Sequence, residues 1–205
     1  MSYHQPYQIT GFHGCDKSIG IKVLNGEADL KLSSNSWDWL ADGIYFWEQN
    51  PYRALEYAID CAQGTQVHKG KIKTPFVLGA SIVLGNCLNL VEPRAVSALD
   101  KAFNDLKLVY ENAGKALPKN NDNVRLLDCA VIRMLHYSNN TAGNAKYDTV
   151  RCAFNEGGPI FPGSNFTKKG HVEVSVLNSD NIKGYYLPRP IATFNPYLNA
   201  DFIKS

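Results

Sequence analysis

The sequence predicts a mixed α/β or α+β fold in a single domain spanning residues 1–205. Stretches typical of strands lie near both ends of the chain, and two helical patterns occupy its middle. No internal repeat or low-complexity tract divides the chain, and 205 residues most simply form one domain. We therefore expect a sheet built from both ends of the chain, with a helical insertion at about residues 92–140.

The strand stretches are rich in aromatic and β-branched residues and are bounded by glycine, proline or polar turns. They include a long apolar run that contains glycines and forms one or two strands. The stretches are residues 7–13, 43–47, 74–91, 147–154, 171–176 and 182–187.

Four stretches carry helix signals. Asp16 is placed as the N-cap of a short helix, and Asn50 followed by Pro51 marks the start of another. Residues 94–110 and 122–137 repeat apolar side chains at helical spacing, which predicts two amphipathic helices within the insertion.

The composition is that of an ordinary globular protein, with 44% apolar and 20% charged residues. The net charge of +2 argues against a broad phosphate-binding surface. Five scattered cysteines without a Cys-x-x-Cys pair argue against a zinc ribbon or a redox pair and favour a reducing, cytoplasmic location. No signal peptide opens the chain, and no apolar run approaches the roughly 20 residues of a membrane span.

Aromatic and polar side chains meet at strand edges in the first third of the chain. Tyr45 on a strand and Tyr57 on the following helix can face each other as parallel rings, which makes a slot for a flat ligand. Gly14 has no side chain, so its backbone N–H and C=O could reach a carboxamide at the edge of the slot. The neighbouring His13 could hold a ribose hydroxyl.

These residues resemble the ADP-ribosyltransferases of the diphtheria-toxin and poly(ADP-ribose) polymerase class. The resemblance rests on "FHGC" before a helix, then "GIYF", then "NPYRALEY". It implies a split, mixed sheet and NAD as co-substrate, with His13 on the adenosine ribose and the backbone of Gly14 on the nicotinamide amide. Tyr45 and Tyr57 would sandwich the nicotinamide ring. The interval between these tyrosines is one residue longer than is usual in the family, and Arg53 stands where the family often has a small hydroxyl residue.

The resemblance places the catalytic group on a late strand. Counting back from Ile182–Lys183, the position of the family's catalytic glutamate falls on His171, and Glu173 follows on the same strand face. Either residue is a candidate for holding the nicotinamide ribose, and Glu156 in the preceding loop is a third. We favour Glu173, because a carboxylate supplies negative charge beside a developing cation. Tyr45 is assigned to the catalytic set as well.

The expected function is NAD-dependent mono-ADP-ribosyl transfer, with release of nicotinamide, to RNA, DNA or protein. The small, stand-alone format is that of a bacterial toxin or phage-defence effector, for which an antitoxin protein would be a further partner. Two alternatives stay open: a non-catalytic NAD- or ADP-ribose-binding module, and an interaction protein that kept the fold without the activity. A cysteine hydrolase using Cys15 with His13 is a further alternative. No metal and no membrane partner is predicted.

Overall fold

Seven strands form one mixed sheet in the computed structural model, which describes residues 7–64, 72–121 and 124–198. The strands are β1 (Gln8–Asp16), β2 (Ile44–Glu48), β3 (Pro75–Val83), β4 (Cys87–Asn89), β5 (Thr149–Phe154), β6 (His171–Val176) and β7 (Ile182–Tyr186). Their order across the sheet is β4-β5-β6-β2-β1-β3-β7. β4 and β5 are parallel, and the other neighbouring pairs are antiparallel. The predicted mixed α+β class is confirmed.

Five helices accompany the sheet within the same ranges. They are α1 (Lys17–Leu24), α2 (Pro51–Gln63), α3 (Pro93–Asn112), α4 (Leu126–Thr141) and α5 (Ile191–Phe194). The two predicted caps are confirmed: the Asp16 side chain accepts from Ser18 N, and the Asn50 side chain accepts from Arg53 N. The sequence did not predict α5, because four residues are too few to show helical periodicity. Residues 122–123 of the predicted fourth helix lie outside the described residues.

The helices α3 and α4, predicted as an insertion, connect β4 to β5. Because these two strands are parallel, the chain must cross over between them, and the helix pair provides that crossover. The apolar faces of the helices pack with the sheet in one cluster, whose fully buried members include Ala102, Cys129, Ile132 and Val150. The helix pair therefore covers the sheet and contributes to its core.

A second apolar cluster lies between α1 and the sheet. Phe46, Phe76 and Leu78 are almost fully buried there, and each such side chain contributes about 1.5–3 kcal/mol by burial. Gly20 in α1 permits a close approach, since a Cβ at this position would lie 2.2 Å from Cδ1 of Phe76. This packing fixes the central strands from which the candidate site is built.

The sheet is split between β1 and β2. β1 pairs with β3 along all nine of its residues. In the described chain it pairs with β2 at two positions, Gly11↔Glu48 and Phe12↔Trp47. Beyond Phe12 the C-terminal part of β1 and the N-terminal part of β2 are no longer joined by a ladder, which leaves a gap in the middle of the sheet.

His13 and Gly14 lie inside β1, and not at the junction between strand and helix that the sequence predicts. The sequence predicts that the strand ends at residue 13, because Gly14 and the cap residue Asp16 are typical of the turn between a strand and a helix. Pairing with β3 instead extends β1 as far as the pair Asp16↔Pro75. The longer β1 strand places His13 and Gly14 at the edge of the split.

Candidate active site at the split of the sheet

A cavity of about 420 Å³ lies at the split. This volume is within the usual range for small-molecule sites. Its walls come from β1, the loop of residues 31–43, β2, α2, β6 and the segment after β5. The predicted site residues that line it are His13, Gly14, Tyr45, Tyr57, Glu156 and Glu173. The fold thus gathers into one cavity residues that lie far apart in the sequence.

His13 is fixed in one tautomer by the backbone of β2. Its Nδ1 donates a hydrogen bond of 2.8 Å to the carbonyl oxygen of Tyr45, which can only accept. Burial lowers the pKa of His13, although this hydrogen bond acts in the opposite direction. The ring is therefore neutral near pH 7, and its Nε2 is an acceptor suited to a hydroxyl group of a ligand.

The peptide groups of Gly14 point into the split. Val77, its partner in the β1–β3 ladder, uses its N–H and its C=O for hydrogen bonds to the buried side chain of Asn195. The pair Gly14↔Val77 is therefore a non-hydrogen-bonded pair, and the N–H and C=O of Gly14 are directed away from β3.

Gly14 also permits the contact between β1 and α2. A Cβ at this position would lie 2.3 Å from the carbonyl oxygen of Ala54 and 3.3 Å from Cβ of Ala58. From the sequence, the expected role of Gly14 is to let a ligand reach its backbone N–H and C=O. The structure adds that α2, which carries Tyr57, could not approach the strand if a side chain stood here.

The two predicted tyrosines are both anchored in the cavity wall. The hydroxyl of Tyr45 donates to the carbonyl oxygen of Ala41 at 2.6 Å and accepts from the backbone N–H of Leu40 at 2.9 Å. The ring of Tyr57 contacts that of Trp47, with centroids 5.1 Å apart. Burial, followed by nearby acidic groups or a cysteine, raises the pKa of both tyrosines, so both remain neutral in the physiological range.

Glu173 lies in the middle of β6, opposite Trp47 of β2 and Cys152 of β5. Residues that face each other across an antiparallel ladder point to the same side of the sheet, so Glu173 shares its face with Trp47. Its side chain is 11% exposed and lines the cavity. Among the late-strand candidates, Glu173 therefore has the position of a group that can touch a ligand.

His171 lies on the same face but is buried beside Glu173. Its side chain is 1% exposed and packs against Trp39 and Phe154. Nδ1 donates to the carbonyl oxygen of Lys169 at 2.7 Å, and Nε2 lies 3.5 Å from Oε1 of Glu173. A lone pair on Nε2 would repel this carboxylate, so the arrangement favours a proton there.

Electrostatics agree with this assignment. Burial opposes a charge on the His171 ring, but the hydrogen bonding and charge of Glu173 outweigh it and raise the pKa of His171. The structure thus gives His171 the geometry of a group that positions Glu173.

Arg53 is a cavity residue that sequence reasoning noted only as a departure from the family pattern. Its guanidinium donates to Glu156 at 2.7 Å and to Glu56 at 2.5 Å. It also lies 6.0 Å from the centre of the Trp47 ring. The i,i+3 spacing of Arg53 and Glu56 on a helix was a visible signal, whereas the contact with Glu156 depends on the tertiary fold.

Asp38 is the second residue that the sequence did not reveal. It is buried, and its carboxylate accepts hydrogen bonds from Ser33 Oγ at 2.6 Å and from Asn35 N at 2.9 Å. These bonds fold the loop of residues 31–43 into a wall of the cavity. The polar, turn-rich composition of this loop was its signal in the sequence.

The buried environment of Cys15 argues against the cysteine hydrolase alternative. Burial, followed by the charge of Asp16, raises the pKa of the Cys15 thiol to about 12. A thiol with this pKa is protonated at neutral pH, and the thiolate is the form that acts as a nucleophile.

Comparisons of the chain with protein-family models, with curated proteins and with solved structures found no match. In residues 7–64, 72–121 and 124–198, no group of three or more His, Cys, Asp or Glu side chains could hold a metal ion. A search of the same described ranges found no helix with both the length and the apolar character needed to cross a membrane. The family resemblance therefore stays a prediction drawn from the residues themselves.

Proposed function

We propose that the chain is an NAD-dependent mono-ADP-ribosyltransferase. One observation carries the proposal: a single cavity assembles His13, Gly14, Tyr45, Tyr57 and Glu173 from four separate elements. The family resemblance assigns the first four of these residues to NAD, and Glu173 lies two residues after His171, the position on which the family's catalytic glutamate falls.

Each residue of the cavity has a chemical counterpart in NAD. The acceptor Nε2 of neutral His13 suits a ribose hydroxyl, and the backbone N–H and C=O of Gly14 suit the two ends of a carboxamide. Tyr45 and Tyr57 offer aromatic faces to the nicotinamide ring, whose positive charge in NAD+ is favoured by such faces.

The proposed reaction breaks the bond between C1′ of the ribose and the nicotinamide nitrogen. The electron pair of this bond passes to the nicotinamide, which leaves as a neutral molecule, and C1′ takes on oxocarbenium character. Glu173 stabilises this positive charge and accepts a hydrogen bond from the 2′-hydroxyl. The acceptor's oxygen or nitrogen then attacks C1′, and its proton passes to water. The cavity also lowers the barrier of the reaction by holding C1′ of NAD in the orientation in which the acceptor can attack it.

A cytoplasmic location belongs to the same proposal. All five cysteines are free thiols, as is typical of proteins in a reducing compartment. The role of a bacterial toxin or phage-defence effector, with an antitoxin protein as partner, rests on the resemblance.

The proposal is tested by incubating the full chain with NAD labelled in its adenylate phosphate, together with total cell lysate. Nicotinamide release, label transfer and the melting temperature with and without NAD are measured for the wild type, Tyr45→Ala and Glu173→Gln. Tyr137→Ala is the matched control, since Tyr137 is 67% exposed on α4. NAD at about a hundred times its Kd should stabilise the wild type by roughly 2.7 kcal/mol.

Three outcomes separate the alternatives. Nicotinamide release together with label transfer by the wild type and by Tyr137→Ala, but not by Glu173→Gln, supports a transferase. A melting temperature that rises with NAD, without any nicotinamide release, assigns a non-catalytic binding module. Neither stabilisation nor release would indicate an interaction protein that kept the fold without the activity.

A further inference from the structure

The segment between β5 and β6, residues 155–170, is an ordered hairpin, which we name the β5–β6 hairpin. The backbone N–H of Lys169 donates to the carbonyl oxygen of Glu156 at 2.9 Å, near the base. The N–H of Ile160 donates to the carbonyl oxygen of Phe166 at 2.9 Å, nearer the tip. Paired backbone bonds along its length give the hairpin a defined shape.

Ion pairs hold the base of this hairpin against α2. Glu156 is bound by Arg53 at 2.7 Å, and Lys169 by Glu56 at 2.7 Å and by Asp60 at 3.6 Å. Glu156 and Arg53 both line the cavity, so the base of the hairpin forms part of the cavity rim. The hairpin is therefore fixed beside the candidate active site, on the helix that also carries Tyr57.

The tip of the hairpin presents large apolar side chains to solvent. Ile160 is 55% exposed, Phe161 58% and Phe166 73%. Residues 157–167 include no charged side chain. Single apolar side chains are often exposed on protein surfaces, but several large ones exposed together on one segment are typical of an interaction surface.

We propose that this tip is the docking surface for the acceptor and that the acceptor is a protein with an apolar surface patch; the inference rests on the proposed transferase function. The centres of protein interfaces are rich in aromatic residues and poor in charge, as is the tip. A nucleic-acid strand would require several cations along its path. Of the two lysines that follow the tip, Lys168 is exposed, whereas Lys169 is neutralised by carboxylates of α2, and the net charge of the chain is only +2.

The position of the tip fits this role. β6 begins with His171, directly after the hairpin, and carries Glu173 into the cavity. A protein held by Phe161 and Phe166 would therefore be bound to the hairpin whose base forms part of the cavity rim. Water needs no docking surface, so hydrolysis of NAD should not depend on the tip.

The test compares the wild type with the double variant Phe161→Ser/Phe166→Ser. A matched control, Leu108→Ser/Val109→Ser, removes two apolar side chains on α3 that are 58% and 53% exposed. Each full-length protein is incubated with adenylate-labelled NAD and with lysate treated beforehand with either nuclease or protease. Nicotinamide release, label in macromolecules and the NAD-induced rise in melting temperature are measured.

We expect the tip variant to keep the NAD-induced rise in melting temperature and to release nicotinamide to water within about twofold of the wild type. Its transfer of label to protein should fall at least about tenfold, whereas the α3 control should label as the wild type does. Label should survive nuclease treatment of the lysate and disappear after protease treatment.

Several results would overturn the inference. Labelling by the tip variant at the wild-type level would show that the tip does not dock the acceptor. Label lost to nuclease and resistant to protease would replace the protein acceptor by a nucleic acid. Loss of NAD-induced stabilisation in the tip variant would mean that the tip supports the cavity itself. A wild type that releases no nicotinamide under any condition would instead overturn the proposed function.

Discussion

In one wall of the cavity backbone groups hold the neutral side chains of His13 and Tyr45, whereas the other wall contains ionisable side chains that contact one another or Arg53. The neutral wall belongs to β1, β2 and α2, and the charged wall to β6 and the hairpin before it. The neutral wall consists of His13, Gly14, Tyr45 and Tyr57, and the charged wall of Glu156 and Glu173, with His171 buried beside Glu173. In the neutral wall, for example, His13 is held by the carbonyl of Tyr45. In the charged wall, Glu156 is held by Arg53.

Under the proposed function, this difference assigns NAD binding to the neutral wall and the chemical step to the charged wall. Backbone groups keep their polarity at every pH, so the neutral wall offers a constant shape to a flat ligand. Ionised side chains respond to pH and to the charge of their neighbours. The charged wall can therefore stabilise a positive charge that develops during a reaction. Substitutions in the two walls should therefore have different consequences, and these can be ranked.

The largest effect is expected for Glu173→Gln in the charged wall. The change keeps the shape of the side chain and removes its negative charge, so transfer of ADP-ribose should slow by about 10²–10³-fold. The Kd for NAD should change little, because the neutral wall is intact. Single-turnover rates and NAD titrations would measure both quantities.

Glu156→Gln is the matched control for this change. Glu156 is a carboxylate of the same wall, and its contact with Arg53 ties it to the hairpin. We expect this variant to lose less than about tenfold in rate. If Glu156→Gln were the more severe change and Glu173→Gln stayed active, the catalytic role would pass to Glu156.

The sequence was sufficient to predict the mixed α+β class and most of the strands and helices, because their signals are local. Asp16 and Asn50 indicate where helices begin, because their own side chains cap those helices. Tyr45 and Tyr57 belong to one strand–helix unit, so their proximity follows from a short connection. What the sequence missed was the extension of β1 to Asp16, since pairing with β3 overrides the local tendency of Gly14 to end a strand.

The charged wall could not be resolved in the same way. His171 and Glu173 share a strand face, and sequence spacing cannot decide which of them reaches the ligand. The structure separates their positions, since the His171 side chain is 1% exposed and packs among aromatic rings, whereas Glu173 lines the cavity; the catalytic assignment stays a prediction. The contact of Arg53 with Glu156 joins residues 103 positions apart, and no local pattern contains it.

The second largest effect is expected for Gly14→Ala in the neutral wall. The added Cβ would lie 2.3 Å from the carbonyl oxygen of Ala54, so β1 and α2 must move apart. We expect the free energy of unfolding to fall by about 1–3 kcal/mol, as in other overpacked sites. Urea denaturation would measure it.

Gly184→Ala provides the control for the glycine substitution. At Gly184 in β7 a Cβ would meet nothing within 4 Å. This change should stay within about 0.5 kcal/mol of the wild type. Equal stabilities of the two variants would show that β1 and α2 are not in the close contact described here.

A smaller effect is expected for Tyr45→Phe. The aromatic ring remains for stacking, but the N–H of Leu40 and the carbonyl of Ala41 lose their hydroxyl partner. The free energy of unfolding should fall by about 1–2 kcal/mol, and the Kd for NAD should change little. Tyr137→Phe, at a side chain that is 67% exposed, should have no measurable effect on either quantity. A large loss of NAD affinity in Tyr45→Phe would mean that the hydroxyl itself contacts the ligand.

The smallest effect is a pH dependence of stability that has opposite sign in the two walls. Burial lowers the pKa of His13 below 6.5. Below pH 6.5 the unfolded chain therefore binds a proton that the folded chain does not, and His13 destabilises the fold as the pH falls. The pKa of His171 is raised above 6.5, because Glu173 outweighs the effect of burial. Its stabilising contribution is complete below pH 6.5 and is lost as the pH rises through the folded-state pKa.

Urea denaturation of the wild type, His13→Gln and His171→Gln from about pH 5 to about pH 8 would measure both signs. The stability advantage of the wild type over His171→Gln should shrink as the pH rises, whereas its advantage over His13→Gln should grow. Glu156 lies 3.8 Å from Nδ1 of His171 and reinforces the first trend, while the charge of Arg53 opposes it. A flat His171→Gln difference would mean that packing against aromatic rings, and not charge, holds this histidine beside Glu173. The property that distinguishes the charged wall from the neutral wall would then be lost.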